Sequence, residues 1–188
     1  MKRILGSNKP RLVWVDLEMT GLDERQCAII EIAMIITDLR LVELASFDTP
    51  IWQPDSVLET MTPVVRDIHT KNGLLEKVRK CKVSLNEAQH SVMQTLTAHV
   101  NHNHGYLAGN TIYMDRIFLR KYMPSVESYL HYRMLDVSSF KIVAQSWFGS
   151  KGTAPKVQAN HTALSDIRGS IEELRFYQQS CFKPMLAE

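Results

Sequence analysis

Apolar positions along the chain follow two different periods. Leu12-Val13-Trp14-Val15 is a short run rich in β-branched and aromatic residues, the pattern of a buried strand. After a polar turn at Asp23 to Gln26, Ala28 to Thr37 is a second and longer run, interrupted by Glu31, and Leu41 to Trp52 is a third that stops before Pro54. Three strands joined by short turns predict an antiparallel meander. Beyond Pro54 the spacing becomes helical. Asp55 to Met61 and Val64 to His69 read as short helical pieces around Pro63, closed by Lys71-Asn72-Gly73. The basic cluster Lys77, Arg79, Lys80 and Lys82 reads as a solvated charged turn. Ser84 followed by Glu87 is a capping-box signature, and Leu85, Ala88, Val92, Leu96 and Val100 recur behind it for roughly four helical turns.

The pattern then alternates. Tyr106 to Asn110 predicts a strand, Met114 to Tyr122 a helix ending before Pro124, and Tyr132 to Val137 another strand. Ser138 to Phe148 reads as a helix capped by Ser138 or Ser139, and Gly149 to Ala159 as a loop. Asn160 can cap a last helix with the buried stripe Ala163, Leu164, Ile167, Ile171 and Leu174. A meander followed by alternating strands and helices predicts an α/β fold, a mixed sheet with helices packed on it. A chain of 188 residues with 45% hydrophobic content supports one substantial core, not two. Residues 11–182 are therefore expected to form a single domain between a flexible N-terminus, 1–10, and a C-terminal tail, 183–188.

Composition narrows the function classes. The longest apolar stretch, Ala28 to Ile36, is far below the ~20 residues a bilayer span needs. No apolar secretory segment follows the basic residues Lys2, Arg3, Lys9 and Arg11. Cys27, Cys81 and Cys181 are odd in number and widely spaced, which argues against a disulfide framework or a zinc knuckle and for a reducing compartment. The cytoplasm is the expected location, or the mitochondrion if a targeting peptide has been removed. A net charge of +2 gives no broad basic field, so any nucleic-acid substrate is expected to be short.

Candidate chemistry centres on Asp16-Leu17-Glu18, at the end of the first strand. Residues two apart on a strand point to one side with Cα atoms roughly 6 to 7 Å apart. Carboxylates held that close repel unless a cation lies between them, and oxygen-only ligands suit a hard divalent ion such as Mg²⁺ or Mn²⁺. Asp115 opens the helix after the Tyr106 to Asn110 strand; it is either a site residue or an acid that favours the helix dipole. Asp166 lies beside the apolar stripe of the last helix, where an unpaired charge is expensive and a metal partner removes the difficulty. His161 precedes Asp166 by five residues, about 7.5 Å of helical rise and roughly 140° of rotation. The two can flank a site but cannot stack as an i, i+4 ligand pair. His99, His102 and His104 cluster without a carboxylate or cysteine nearby in sequence, a poor metal site.

Together Asp16, Glu18, Asp115, Asp166 and His161 resemble the DEDDh family of 3′→5′ exonucleases. Val13 to Leu22, Gly109-Asn110-Thr111 leading to Asp115, Lys121-Tyr122-Met123-Pro124, His131-Tyr132-Arg133 with Asp136-Val137-Ser138, and His161 to Asp166 are similar to the oligoribonuclease branch, from about residue 11 to 180. The resemblance implies an RNase H-like fold, a homodimer, and cleavage of very short RNA, down to dinucleotides, into 5′-mononucleotides. It also implies two divalent metal ions, Mg²⁺ or Mn²⁺, held by the four acids, with His161 as general base. Leu22 would wedge between the two bases, and Asn110, Thr111 and Ser138 would contact substrate. His131, Tyr132 and Arg133 of the partner subunit would complete the phosphate pocket, where an arginine fork suits phosphate. Met61 matches the family's base pocket, but its stacking tryptophan falls on Val64, so another aromatic such as Trp52 substitutes, base affinity is reduced, or the alignment shifts locally. The rival readings are a DEDDh exonuclease acting on longer RNA 3′ ends or DNA, and a nucleotide-binding module without the chemistry.

Overall fold

The computed structural model describes residues 9–155 and 162–182. Its centre is β2 (Ile29–Thr37), buried along its whole length. It lies between β1 (Arg11–Met19) and β3 (Glu43–Pro50), antiparallel to both. Two more strands, β4 (Gly105–Gly109) and β5 (Met134–Asp136), add in parallel to the free side of β1, giving the order β3-β2-β1-β4-β5. The predicted mixed sheet, a three-stranded meander extended by parallel strands and flanked by helices, is the one observed.

Directly paired antiparallel residues share a face, and neighbours along a strand alternate. Leu12, Trp14, Asp16 and Glu18 of β1 therefore lie on the same face as Glu31, Ala33 and Ile35 of β2. The apolar members of that set pack against α7 (Val137–Phe148) and α8 (Ala163–Ser180) through Val137, Ala144, Ile167, Ile171 and Tyr177. The opposite face, with Val13, Val15, Leu17, Ile32 and Met34, is covered by α4 (Leu85–His99), α5 (Tyr113–Tyr122) and α6 (Pro124–Tyr129). Cover on both faces explains why the first two strands read as nearly continuous apolar runs. Trp14 is fully buried, and its indole N–H donates to Thr37 Oγ1 at 3.0 Å, which satisfies the one polar atom on that ring.

A smaller core joins Ile30 to Leu58, Met61, Leu74, Leu75 and Val78 under α1 (Asp55–Leu58), α2 (Pro63–Lys71) and α3 (Leu74–Lys80). Here the prediction needs correction. The basic stretch is the end of a helix, α3, rather than a turn; Leu74, Leu75 and Val78 are buried, and Lys77, Arg79 and Lys80 sit in its last turn, where the helix dipole favours cations. The breaker acts through Gly73, whose φ of 76° turns the chain from α2 into α3.

The capping box is present: Ser84 Oγ accepts from Glu87 N–H, and the Glu87 carboxylate accepts from Ser84 N–H. The cap of α7 is Asp136, which accepts from Ser138 N–H, rather than Ser138 or Ser139. Pro124 does not merely end a helix; it starts α6 at the first helical position, where its missing N–H costs nothing. The strand predicted over Tyr132 to Val137 is confined to Met134–Asp136. The predicted loop begins with a 3₁₀ turn, Gly149–Gly152. The predicted cap Asn160, His161, residues 1–8 and residues 183–188 lie outside the described residues. No described helix is long and apolar enough to cross a membrane.

Candidate active site

β1 and β4 run parallel, and the segments leaving their C-terminal ends converge beside the first turn of α8. Asp16 and Glu18 project from β1, and Asp166 comes down from α8 onto the same face. Each of the three offers a carboxylate oxygen, and these atoms lie within 4.8 Å of one another. Asp16 and Asp166 border a cavity of about 310 Å³ lined also by Asn110, Lys141, Ser170 and Glu173. The predicted Asp16 and Glu18 pair and the Asp166 on the edge of the helical stripe are thus brought together.

Asp115 has a different place. It is buried in the first turn of α5, and its Oδ1 accepts from Leu17 N–H at 2.9 Å, the backbone amide between Asp16 and Glu18. It stands behind the trio and ties α5 to the strand that carries two of its members. Its charge still reaches them. Burial, and then the charges of Asp115, Glu18, Asp166 and Glu31, push the Asp16 carboxyl from its ordinary value of 3.8 up to about 9. Burial, followed by Glu31, Asp166 and Asp115, takes Glu18 to about 7. Asp115 also rises to about 7, chiefly through burial, with the Leu17 N–H bond opposing the shift.

Carboxylates this crowded cannot all ionise unless a cation joins them. Lys141, the basic side chain lining the cavity, lies 3.5 Å from Glu173 Oε1 and is paired there. An all-oxygen, multiply anionic donor set fits a hard divalent ion. His99 and His104 instead bond local backbone carbonyls, of Thr95 and His102 respectively.

Two further residues of the site escape the sequence reading. Glu31 is paired in register directly with Glu18 and is buried. Burial raises its pKa, while the Lys77 charge and the Ala163 N–H at the start of α8 work against the rise. Its signal in the sequence is that it is the one charge in an otherwise apolar strand. His69 of α2 is also buried; its Nε2 lies 3.0 Å from Met19 O, and its Nδ1 lies 3.8 Å from Glu18 Oε2. Burial lowers its pKa, so we assign the neutral ring with Nε2–H donating to Met19 O, which leaves Nδ1 facing Glu18. In sequence His69 is indistinguishable from a helix-end surface histidine.

The predicted substrate residues fall into three groups. Asn110, Thr111 and Ser138 form one hydrogen-bonded knot. Thr111 N–H donates to Ser138 Oγ and to Asp136 Oδ1, both at 3.0 Å, and Ser138 O–H donates to Asn110 Oδ1 at 3.2 Å. Thr111 has a φ of 51°, an unfavourable conformation for a β-branched residue that these bonds hold in place. Leu22 is 70% exposed in the loop after β1, and Val64 is 69% exposed at the start of α2, whereas Met61 is buried in the small core. Trp52 is half exposed, with its backbone N–H bonded to Val83 O. His131, Tyr132 and Arg133 precede the edge strand β5 and lie outside the lining of the carboxylate cavity. Tyr132 stacks on His131 with centroids 4.6 Å apart, and Arg133 lies over the Tyr132 ring at 5.3 Å. The buried Arg116 supports this segment from beneath, bonding Glu127 at 2.9 Å and the carbonyls of His131 and Tyr132 at 3.2 and 2.9 Å.

Comparison with known proteins decides the family. The model of the RNase T exonuclease family matches residues 13–174. The oligoribonuclease of Francisella tularensis subsp. tularensis is 45% identical over 169 residues, covering 89% of this chain and 94% of that protein. The chain belongs to the oligoribonuclease family. The oligoribonuclease of Marinobacter nauticus is likewise 45% identical, over 94% of this chain and 99% of its own length. Among solved structures, exonuclease I of E. coli in complex with an oligonucleotide superposes with a TM-score of 0.71 at 14% identity over 93% of this chain. Exonuclease I from Methylocaldum szegediense gives 0.69 at 16% identity over 92%. The oligoribonuclease-family chain spans about two-fifths of those two structures (42% and 41%), and at such identities the likeness concerns the fold alone. Membership of an exonuclease family and this cluster of acidic residues together point to the use of divalent metal.

Proposed function

We propose that this oligoribonuclease-family chain is a 3′→5′ exoribonuclease that hydrolyses very short oligoribonucleotides, especially dinucleotides, to 5′-mononucleotides. The observation that carries the reading is the convergence of Asp16, Glu18 and Asp166 at the end of β1, with Asp115 bonded behind them. We infer two divalent ions, Mg²⁺ or Mn²⁺, held by these four acids: Asp16, Glu18 and Asp166 bring carboxylate oxygens within 4.8 Å of one another, and Asp115 joins them although its Oδ1 already accepts from Leu17 N–H. When bound, such a pair supplies stabilisation of the charge that develops on the attacking and leaving oxygens of an in-line displacement.

The chain's own residues do the remainder. His161 takes the proton from the attacking water. Leu22 separates the two bases; of the two residues matched to the base pocket, the exposed Val64 is free to meet a base, while Met61 is buried in the small core. The Asn110, Thr111 and Ser138 knot, with its backbone held by Asp136, receives the phosphate of the 5′ nucleotide. In a homodimer, His131, Tyr132 and Arg133 of the partner subunit close that pocket, which accords with their lying apart from the cavity in the single chain. A closed end measures substrate length with few contacts. The enzyme works in the cytoplasm.

A length series from dinucleotide to twenty-mer, run with Mn²⁺ and then with chelator, tests this function. Turnover is expected to be fastest on the dinucleotide and to vanish with chelator. Faster turnover of the twenty-mer would favour an exonuclease of longer 3′ ends, and metal-independent absence of nucleotide release would favour a silent binding module. Binding to a catalytically inactive variant is also expected to depend weakly on salt. Contacts to one or two phosphates of a single strand give a log–log slope of about −0.7 to −1.4, whereas a slope beyond about −4 would mean an extended track.

A further inference from the structure

Leu22 is an exposed apolar side chain, so packing within its own chain does not hold it; the loop beneath it must. That loop, between β1 and β2, is closed at its base by Thr20 N–H to Ala28 O and by Ala28 N–H to Thr20 Oγ1, both at 3.0 Å. Inside it, Asp23 O accepts from the amides of Gln26 and Cys27 at 3.1 and 2.8 Å, and Asp23 Oδ1 accepts from Arg25 N–H at 2.9 Å. The carbonyls of Glu24 and Cys27 point away from these bonds and toward a side chain almost a hundred residues away. Tyr122 O–H lies 2.6 Å from Cys27 O and 3.0 Å from Glu24 O, and Lys121 Nζ donates to Glu24 O at 2.5 Å.

The contact is transmitted to Leu22. A Cβ on Gly21 would come within 2.7 Å of Cys27 Sγ, so the Cys27 side chain fills the space beside the residue before Leu22 and leaves no room for a side chain there. Tyr122 is itself well anchored: its ring stacks with that of Phe118, a fully buried residue, at 6.0 Å between centroids. It ends the helix whose first turn carries Asp115, bonded to Leu17 N–H. One rigid element, α5, is thereby pinned at one end to the strand that bears Asp16 and Glu18, and at the other to the loop that bears Leu22.

We propose that Tyr122 is a positioning residue for base recognition, setting the place of Leu22 relative to the carboxylates through Cys27 and Gly21. The inference rests on the reading of Leu22 as a wedge between two bases. Tyr122→Phe keeps the ring and its stacking and removes the hydroxyl that two loop carbonyls share. It is expected to raise KM for a dinucleotide about 3- to 10-fold, the scale of one or two hydrogen bonds, with the loss concentrated in KM rather than kcat. Hydrogen exchange of the amides from 20 to 28 is expected to quicken in the same variant.

The decisive test is a double-mutant cycle with Leu22→Ala. Leu22→Ala alone should raise KM at least as much as Tyr122→Phe. If Tyr122 acts through Leu22, adding Tyr122→Phe to Leu22→Ala changes KM by less than about twofold. Full multiplication of the two effects, or a KM unaltered by Tyr122→Phe while Leu22→Ala raises it, overturns the inference and leaves the wedge reading standing. An unaltered KM in Leu22→Ala overturns the wedge reading itself. Should Tyr122→Phe fail to fold, Lys121→Ala, at an exposed position, replaces it in the cycle with an expected two- to threefold rise in KM that should vanish in the Leu22→Ala background; a rise of the same size there overturns the inference.

Discussion

Asp16→Asn is expected to lower turnover on a dinucleotide by about 10³-fold, the scale of losing a group that manages transition-state charge, and at the same time to stabilise the metal-free protein. Both effects have one cause. Asp16 sits where burial and the charges of Asp115, Glu18, Asp166 and Glu31 converge, and its carboxyl titrates near 9 instead of 3.8. A carboxyl whose folded-state pKa is raised contributes stability that is fully present below its unfolded value and is lost as pH rises through the folded one. Metal-free wild type should therefore lose stability between about pH 4 and pH 9, with Glu18 and Asp115, both near 7, adding to the loss. Asn carries no such charge, so the variant's melting temperature should fall less over that window. Divalent metal needs ionised ligands, so its stabilisation of wild type should be larger at pH 8 than at pH 6. Melting curves at several pH values, with chelator and with Mn²⁺, check these signs. A metal-free wild type whose stability climbs from pH 5 to pH 9 would refute this account of the site's electrostatics.

The sheet was legible because its chemistry is local. Along β1 and β2, covered on both faces, the apolar runs state the burial directly. The capping box of α4 is likewise read from two residues three apart. What stayed hidden was short or relational. In α3 and α6, seven and six residues long, less than two turns is left for a period to emerge, and Pro124 serves equally well to end α5 and to begin α6. The cap of α7 was misplaced by two or three residues, because Asp136 ends a strand and caps a helix at once.

The same distinction runs through the site. Asp16 and Glu18 share a face because strand residues two apart must, and Asp166 stood out as a charge at the margin of an apolar stripe. The partner of Asp115 is a backbone amide 98 residues away, which no side-chain pattern encodes. Glu31 and His69 belong to the site through sheet register and through the docking of α2. Glu31 in particular turns a three-carboxylate cluster into a more strongly anionic one, and so adds to the demand for cations that the Asp16 and Glu18 spacing first indicated.

His161→Ala is expected to reduce turnover between about 10²- and 10⁴-fold while leaving metal-induced stabilisation nearly intact. His161 itself lies outside the described residues, but α8 begins two residues later at Ala163, and the Asp166 of its first turn reaches the trio. The role of His161 as base rests on its place in the sequence, five residues before Asp166. The four acids are retained in the variant, so the rise in melting temperature with Mn²⁺ should match that of wild type. Because a base must be neutral to accept a proton, the fall of kcat toward acid pH should be weaker in the variant, and added imidazole should restore part of the rate. The same separation divides base from ligand: if His161→Ala instead weakens the response to Mn²⁺ and keeps kcat at saturating metal, the residue holds the ions and the proton leaves by another route.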